Sequence, residues 1–130
     1  MIVDSSALVA ILLKEPEALR LADAIAGSSV RWLPASCFLE ASMLVLGRGG
    51  EEGVRDLDLM IARFRIEIVD FTESQARLAR VAFKRYGKGR HPAQLNFGDC
   101  MAYALASETG EELLFKGTDF GQTDITAALY

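Results

Sequence analysis

MIVDSSALVAILL, residues 1–13, decides the fold class. Three apolar residues end on an acid, two serines follow, and then seven apolar residues run without interruption. The first run is short enough for a strand, and Ser5 or Ser6 caps the helix that begins at once. A strand passing straight into a helix raises one question about the remaining chain: whether that alternation persists.

It does. Pro16 opens a second helix, with Ala18, Leu21, Ala22 and Ile25 at helical spacing and Gly27 at its end. VRWL (30–33) is the second strand, closed by Pro34; Ser36 caps the helix CFLEASMLVL (37–46), and GRGG (47–50) stops it. A weaker helical pattern covers 51–64, and IEIV (66–69) is the third strand. The helix over 72–86 starts with the pair Thr72 and Gln75 and turns Leu78, Val81, Ala82 and Phe83 inward. GKGRHP (87–92) is a loop, QLNFGDCMAYALA (94–106) a buried helix and ELLF (112–115) the fourth strand. A glycine-containing loop and a tail that adds a helical turn or an edge strand finish the chain. Strands alternating with helices predict an α/β fold, a mostly parallel central sheet covered by helices on both faces.

The 130 residues fit one domain, 1–130, with a real core, and 51 % hydrophobic content with three prolines excludes a disordered chain. Charges interrupt every apolar run before it reaches a membrane span, and the start lacks a basic leader, so no membrane association and a cytoplasmic location are expected. Cys37 and Cys100 lie among apolar neighbours and read as reduced core thiols. With the single His91 in a polar loop, no zinc site is expected.

Net charge is −4, unpromising for a polyanion, but its distribution is uneven. Residues 75–98 hold no acid and six bases, Arg77, Arg80, Lys84, Arg85, Lys88 and Arg90, leaving eight bases against all 18 acids elsewhere, a net of −10. Such a segment either guides a polyanion or is an ordinary solvated surface.

In parallel sheets ligands bind beyond the carboxyl ends of the strands. Asp4 follows strand one directly, and Glu40, the only charge from Cys37 to Leu46, is one turn into the helix after strand two. Asp99 lies in the first turn of the helix before strand four, and Asp119 follows that strand. Asp124 reaches the group if its loop folds back. Acids gathered in a partly dry cleft repel one another unless a hard cation such as Mg²⁺ or Mn²⁺ joins them. Each also has a structural explanation: Asp4 as a cap, Asp99 with Asn96 as a capping box, Thr118, Asp119, Thr123 and Asp124 as turn residues. Glu40 is the hardest to explain that way, because it is neither a cap nor on a polar stripe. Ser5, or Ser6, either hydrogen-bonds the acids or caps the helix.

With these residues assembled, the chain resembles the PIN-domain ribonucleases, specifically the VapC-type toxins of bacterial toxin–antitoxin pairs. The resemblance is carried in order by MIVDSSALVAIL with Asp4, SCFLEASMLVL with Glu40, YGKGRHPAQLNFGDCMAYALA with Asp99, and LLFKGTDFGQTDI with Asp119 and an accessory Asp124. It implies a PIN-like three-layer sandwich and an Mg²⁺- or Mn²⁺-dependent endoribonuclease, dimeric and silenced by a cognate VapB-type antitoxin. On that footing Asp4, Asp99 and Asp119 are the expected metal ligands, and Glu40 binds metal or orients the water. Asp124 is an accessory ligand, Ser5 and Thr118 are supporting hydroxyls or caps, and Lys84, Arg85, Lys88, Arg90 and His91 are RNA contacts, with Tyr86 for base stacking. A Mg²⁺-dependent phosphatase or phospho-receiver would also need acids at strand ends, but it calls for an acidic pair or Asp-x-Asp where this chain has a lone Asp4. A non-catalytic interaction protein would bind its partner but neither metal nor RNA.

Overall fold

The computed structural model describes all 130 residues. In chain order the elements are β1 (Ile2–Val3), α1 (Ser5–Leu12), α2 (Ala18–Gly27), β2 (Trp32–Pro34), α3 (Ala35–Phe64), β3 (Glu67–Val69), α4 (Glu73–Tyr86), α5 (Phe97–Thr109) and β4 (Leu113–Leu114). A single 3-10 turn, Phe120–Gln122, follows.

The sheet is wholly parallel, in the order β3-β2-β1-β4. Its register sets Ile2 between Trp32 and Leu113, and Val3 beside Leu114. Three of the strands are apolar without alternation, as a sheet covered on two faces requires: Ile2 and Val3 of β1, Leu33 of β2, and Leu113 and Leu114 of β4 are fully buried. With the right-handed crossovers that parallel strands follow, this strand order puts α1, α2 and α3 over one face and α4 and α5 over the other. The most extensive helix packing accordingly joins α4 to α5 and α1 to α3. Beyond β4 the tail shields the open edge, with the Leu113 amide donating to the Thr126 carbonyl and the Ala128 amide to that of Leu113, each at 2.9 Å.

Several local expectations need correction. Asp4, not Ser5 or Ser6, caps α1: its carboxylate accepts from the Ser6 amide. Ser36 caps nothing, because the chain is already helical from Ala35 behind the fixed φ of Pro34, and its hydroxyl is buried without a partner. The break predicted at GRGG falls at Gly50 (φ 59°, ψ −149°), after which helix resumes immediately, so α3 is one kinked element. Thr72 caps α4 as expected, but the Gln75 amide donates to Glu108 at 2.8 Å, tying α4 to α5 rather than closing a box. The buried side of α4 is Gln75, Ala82 and Tyr86, while Val81 and Phe83 are exposed. Cys37 and Cys100 are free and buried.

Candidate functional site

The strand order reverses at β1: the chain proceeds from it to β2 and β3 on one side, and β4 joins on the other. A crevice opens at such a switch point beyond the strand ends, and the segments leaving β1 and β4 meet there. The Asp4 amide donates to the Leu114 carbonyl at 2.9 Å. Ser6 then couples the two segments, its Oγ accepting from the Lys116 amide at 3.0 Å and donating to Asp4 Oδ2 at 2.5 Å.

Asp4 is 3 % exposed and therefore needs these partners. Burial pushes its carboxyl above the ordinary range; the two Ser6 bonds oppose the shift, and the Glu40 charge adds to it. Cys37 lies 3.7 Å from Oδ1 and stays a thiol, raised well above its ordinary value by burial and by the Asp4 charge. Glu40 comes from the second turn of α3, where its Oε2 accepts from Ser5 Oγ at 2.7 Å. The carboxylate also lies against the first turn of α5: a Cβ at Gly98 would stand 2.8 Å from Oε2. Only glycine leaves that space.

Asp99 forms the anticipated capping box with Asn96, accepting from its amide at 2.8 Å while Asn96 Oδ1 accepts from Asp99 N at 2.9 Å. Its carboxyl is nevertheless raised to about 6, first by burial and then, against the Asn96 bond, by the charges of Asp4, Asp119 and Glu40. Being a cap does not remove it from the acid group. Asp119, exposed, immediately precedes the 3-10 turn.

Asp4, Glu40, Asp99 and Asp119 line one cavity of about 330 Å³ together with Ser5, Ser6 and Asn96. These four carboxylates, with a fifth from Glu15 that pairs with Lys116 and no histidine or thiolate on the lining, form a hard oxygen set, which fits Mg²⁺ or Mn²⁺ and not a soft metal. No three of the acids converge into a ready-made ion cage. An open arrangement suits Mg²⁺, which keeps several waters and takes one or two carboxylates.

Asp124 is not part of this group. After the 3-10 turn the tail runs down the edge of β4, carrying Asp124 to α5, where it accepts from the Tyr103 hydroxyl at 2.7 Å and pairs with Arg85 at 3.4 Å. Those contacts, Tyr103 foremost, lower its pKa. Thr118 is exposed and does not line the cavity, and Thr123 closes its own turn by donating to the Phe120 carbonyl at 2.7 Å.

None of the expected RNA contacts lines the acid cavity. Lys84 and Lys88 project into solvent, Arg85 packs over Tyr86, and Arg90 lies 5.6 Å from the Phe83 ring. His91 Nδ1 accepts from the Ala93 amide at 3.1 Å. Tyr86 is buried between His91 and Tyr103, which removes it as a base-stacking surface. The basic loop is nonetheless adjacent to the acids. It ends at Asn96 in the cavity wall, and its Pro92 carbonyl accepts from Gln122 of the turn after Asp119.

Three charged lining residues escaped the sequence reading: Glu15, Arg48 and Lys116. Lys116 lies two residues beyond the end of β4, within reach of the strand-end rule. Arg48 stands two turns beyond Glu40, a helical spacing that was also legible. Glu15, which pairs with Lys116, depends on the turn between α1 and α2, for which the sequence offered no signal.

The PIN domain family model matches residues 1–125. "Ribonuclease VapC" of Mycolicibacterium smegmatis is 48% identical over 127 residues, covering 98% of each chain. "Ribonuclease VapC30" of Mycobacterium tuberculosis is 46% identical over 130 residues, covering 99% of each. Among solved structures, Mycobacterium tuberculosis VapC20, described as a sarcin-ricin loop cleaving toxin, shares the fold at a TM-score of 0.78 and 15% identity, over 96% of this chain and 95% of that one. A chain of VapBC2 from Rickettsia felis, solved bound to a promoter DNA fragment, does so at 0.74 and 16%, over 97% and 94%. Near-complete coverage at close to half identity, on a sheet that brings four acids to its switch point, leads to one conclusion: the chain belongs to the PIN-domain family, among its VapC-type ribonuclease toxins.

Proposed function

We propose that residues 1–130 act as one PIN-like domain that hydrolyses RNA phosphodiester bonds internally with Mg²⁺ or Mn²⁺, as the toxin of a toxin–antitoxin pair. The observation that carries the reading is the convergence of Asp4, Glu40, Asp99 and Asp119, from four separate segments, on one cavity at the switch point. Asp4, Asp99 and Asp119 would hold the ion, directly or through waters that it retains. When bound, the ion lowers the pKa of water and offsets charge growing on the phosphoryl oxygens.

The chain's own groups do the rest. Ser6 fixes the Asp4 carboxylate through two hydrogen bonds, so one preferred face of it is offered to the cavity. Ser5 orients Glu40, whose free Oε1 is available to accept a proton from the attacking water. Asn96 keeps Asp99 aimed while α5 directs the positive end of its dipole at the cavity rim, where a phosphate would sit. Lys84 and Lys88 supply electrostatic guidance rather than contact at the reacting phosphate. The reading includes a VapB-type antitoxin and a homodimer, which co-expression with the antitoxin and size-exclusion chromatography check.

The test uses the purified full chain with cellular RNA and Mg²⁺ or Mn²⁺, reading new ends by sequencing beside EDTA and Asp99→Asn controls. Discrete cuts bearing 5′-phosphate and 3′-hydroxyl ends, lost in both controls, are expected. Cleavage that survives EDTA, or 2′,3′-cyclic phosphate ends, would refute it.

A further inference from the structure

Two cations line the acid cavity, and they are held differently. Lys116 is engaged by its own carboxylates: it pairs with Glu15, and its Nζ lies 3.8 Å from Glu17. Arg48 enters no ion pair at all, although five carboxylates share its cavity. Glu40, Leu44 and Arg48 follow one another at four-residue spacing on α3, and all three line the cavity. Directly beyond Arg48 the helix breaks at Gly50. Arg48 and the glycines on either side of it, Gly47 and Gly49, are exposed.

Arg48 lines both the acid cavity and the neighbouring groove of Glu52 and Asp56, and it pairs with no carboxylate of either, which leaves its guanidinium free to meet an anion that approaches the acids. Its planar fork matches two non-bridging phosphate oxygens. From this we propose that Arg48 is a substrate-binding residue that takes a phosphate of the RNA strand as the strand enters the cavity. The proposal rests on the ribonuclease reading and adds to it the group that registers the backbone against the acids. Lys116, locked by Glu15 and Glu17, supports the β4 segment instead.

The test separates binding from cleavage. A fluorescein-labelled random-sequence oligoribonucleotide is titrated with the full chain in Ca²⁺ over a series of salt concentrations, for wild type, Arg48→Ala and Arg48→Lys. Arg48→Ala is expected to bind about tenfold more weakly. Its plot of log affinity against log salt should be shallower by about 0.7, the loss of one phosphate contact to a single strand. Arg48→Lys should recover the slope but not the whole affinity, because an ammonium cannot grip two oxygens. Wild-type affinity and slope in Arg48→Ala would overturn the proposal while leaving the ribonuclease reading intact. So would a loss of Ca²⁺ affinity by calorimetry with the slope unchanged, since Arg48 would then act through the carboxylates. Unchanged RNA binding alongside weakened binding of polyglutamate would reassign the guanidinium to a protein carboxylate, again overturning it. A wild-type chain that neither binds nor cuts RNA removes the ribonuclease reading and this proposal together.

Discussion

Gly98→Ala isolates the role of Glu40 without touching any charged group. The added Cβ would lie 2.8 Å from Glu40 Oε2 and 3.1 Å from Oε1 and Cδ, where ordinary contact begins at 3.4 Å. The carboxylate must retreat by about 0.6 Å, the difference between 3.4 and 2.8 Å, or α5 must lift. The first response is the easier, because the obstacle is the end of a side chain held at one oxygen by Ser5. Alanine also suits the helix better than glycine by up to about 1 kcal/mol, so folding should be unharmed or slightly favoured. Productive catalytic geometry tolerates about 0.5 Å, and a misplacement of 1 Å costs about a hundredfold. Thus kcat should fall about tenfold with melting temperature unchanged and KM little altered. The assay is initial-rate cleavage of a fluorescent RNA in Mg²⁺ beside thermal melts of the same preparations. Ser5→Ala, which frees the carboxylate from the other side, should combine with Gly98→Ala non-additively, since both act on one group. A correctly folded Gly98→Ala chain cleaving at the wild-type kcat would refute the reasoning: either the position of Glu40 is immaterial or its carboxylate is not used.

Further outcomes follow from the same geometry. The Asp99 carboxyl is raised from 3.8 to about 6, so the folded metal-free chain binds that proton more tightly than the unfolded chain does, and stability should fall as pH rises between those values. Mg²⁺ requires the ionised form, so cleavage should climb with pH through about 6; melts of wild type and Asp99→Asn with identical pH slopes would contradict this. Asp124→Ala should leave cleavage intact and lower stability by about 1 kcal/mol through the lost Tyr103 hydrogen bond, read by urea denaturation; loss of metal binding would return Asp124 to the site. Gly50→Ala forces φ 59°, ψ −149° on a residue with a Cβ and should cost about 1–3 kcal/mol in the same assay, a wild-type midpoint being the contrary result.

The acid constellation was legible because its rule needs only strand order. Once β1, β2 and β4 are located and taken as parallel, Asp4, Glu40 and Asp119 follow from adjacency to strand ends, and Asp99 from the helix that approaches the same rim. Local capping was less legible. Asp4, Ser5 and Ser6 all have the chemistry to cap α1, and what selects Asp4 is the depth at which β1 delivers it, a property of the sheet and not of the tripeptide. Ser36 fails as a cap because Pro34 already sets the helical entry one residue earlier.

Asp124 and Tyr86 show where sequence reasoning stops, and why. Asp124 lies five positions beyond Asp119, enough for the loop to fold back, and nothing local forbids it. The direction of the tail is instead decided by β4, whose open edge presents unpaired backbone groups that must be satisfied; pairing Leu113 with Ala127 satisfies them and draws Asp124 away to Tyr103. The same Tyr103 whose hydroxyl holds Asp124 packs its ring against the buried Tyr86, so one residue of α5 touches both the diverted acid and the ring expected to stack on bases. A strand edge far from the chemistry thereby keeps Asp124 away from the cavity that Asp4, Glu40, Asp99 and Asp119 line, and Arg48 is the unpaired cation on that lining.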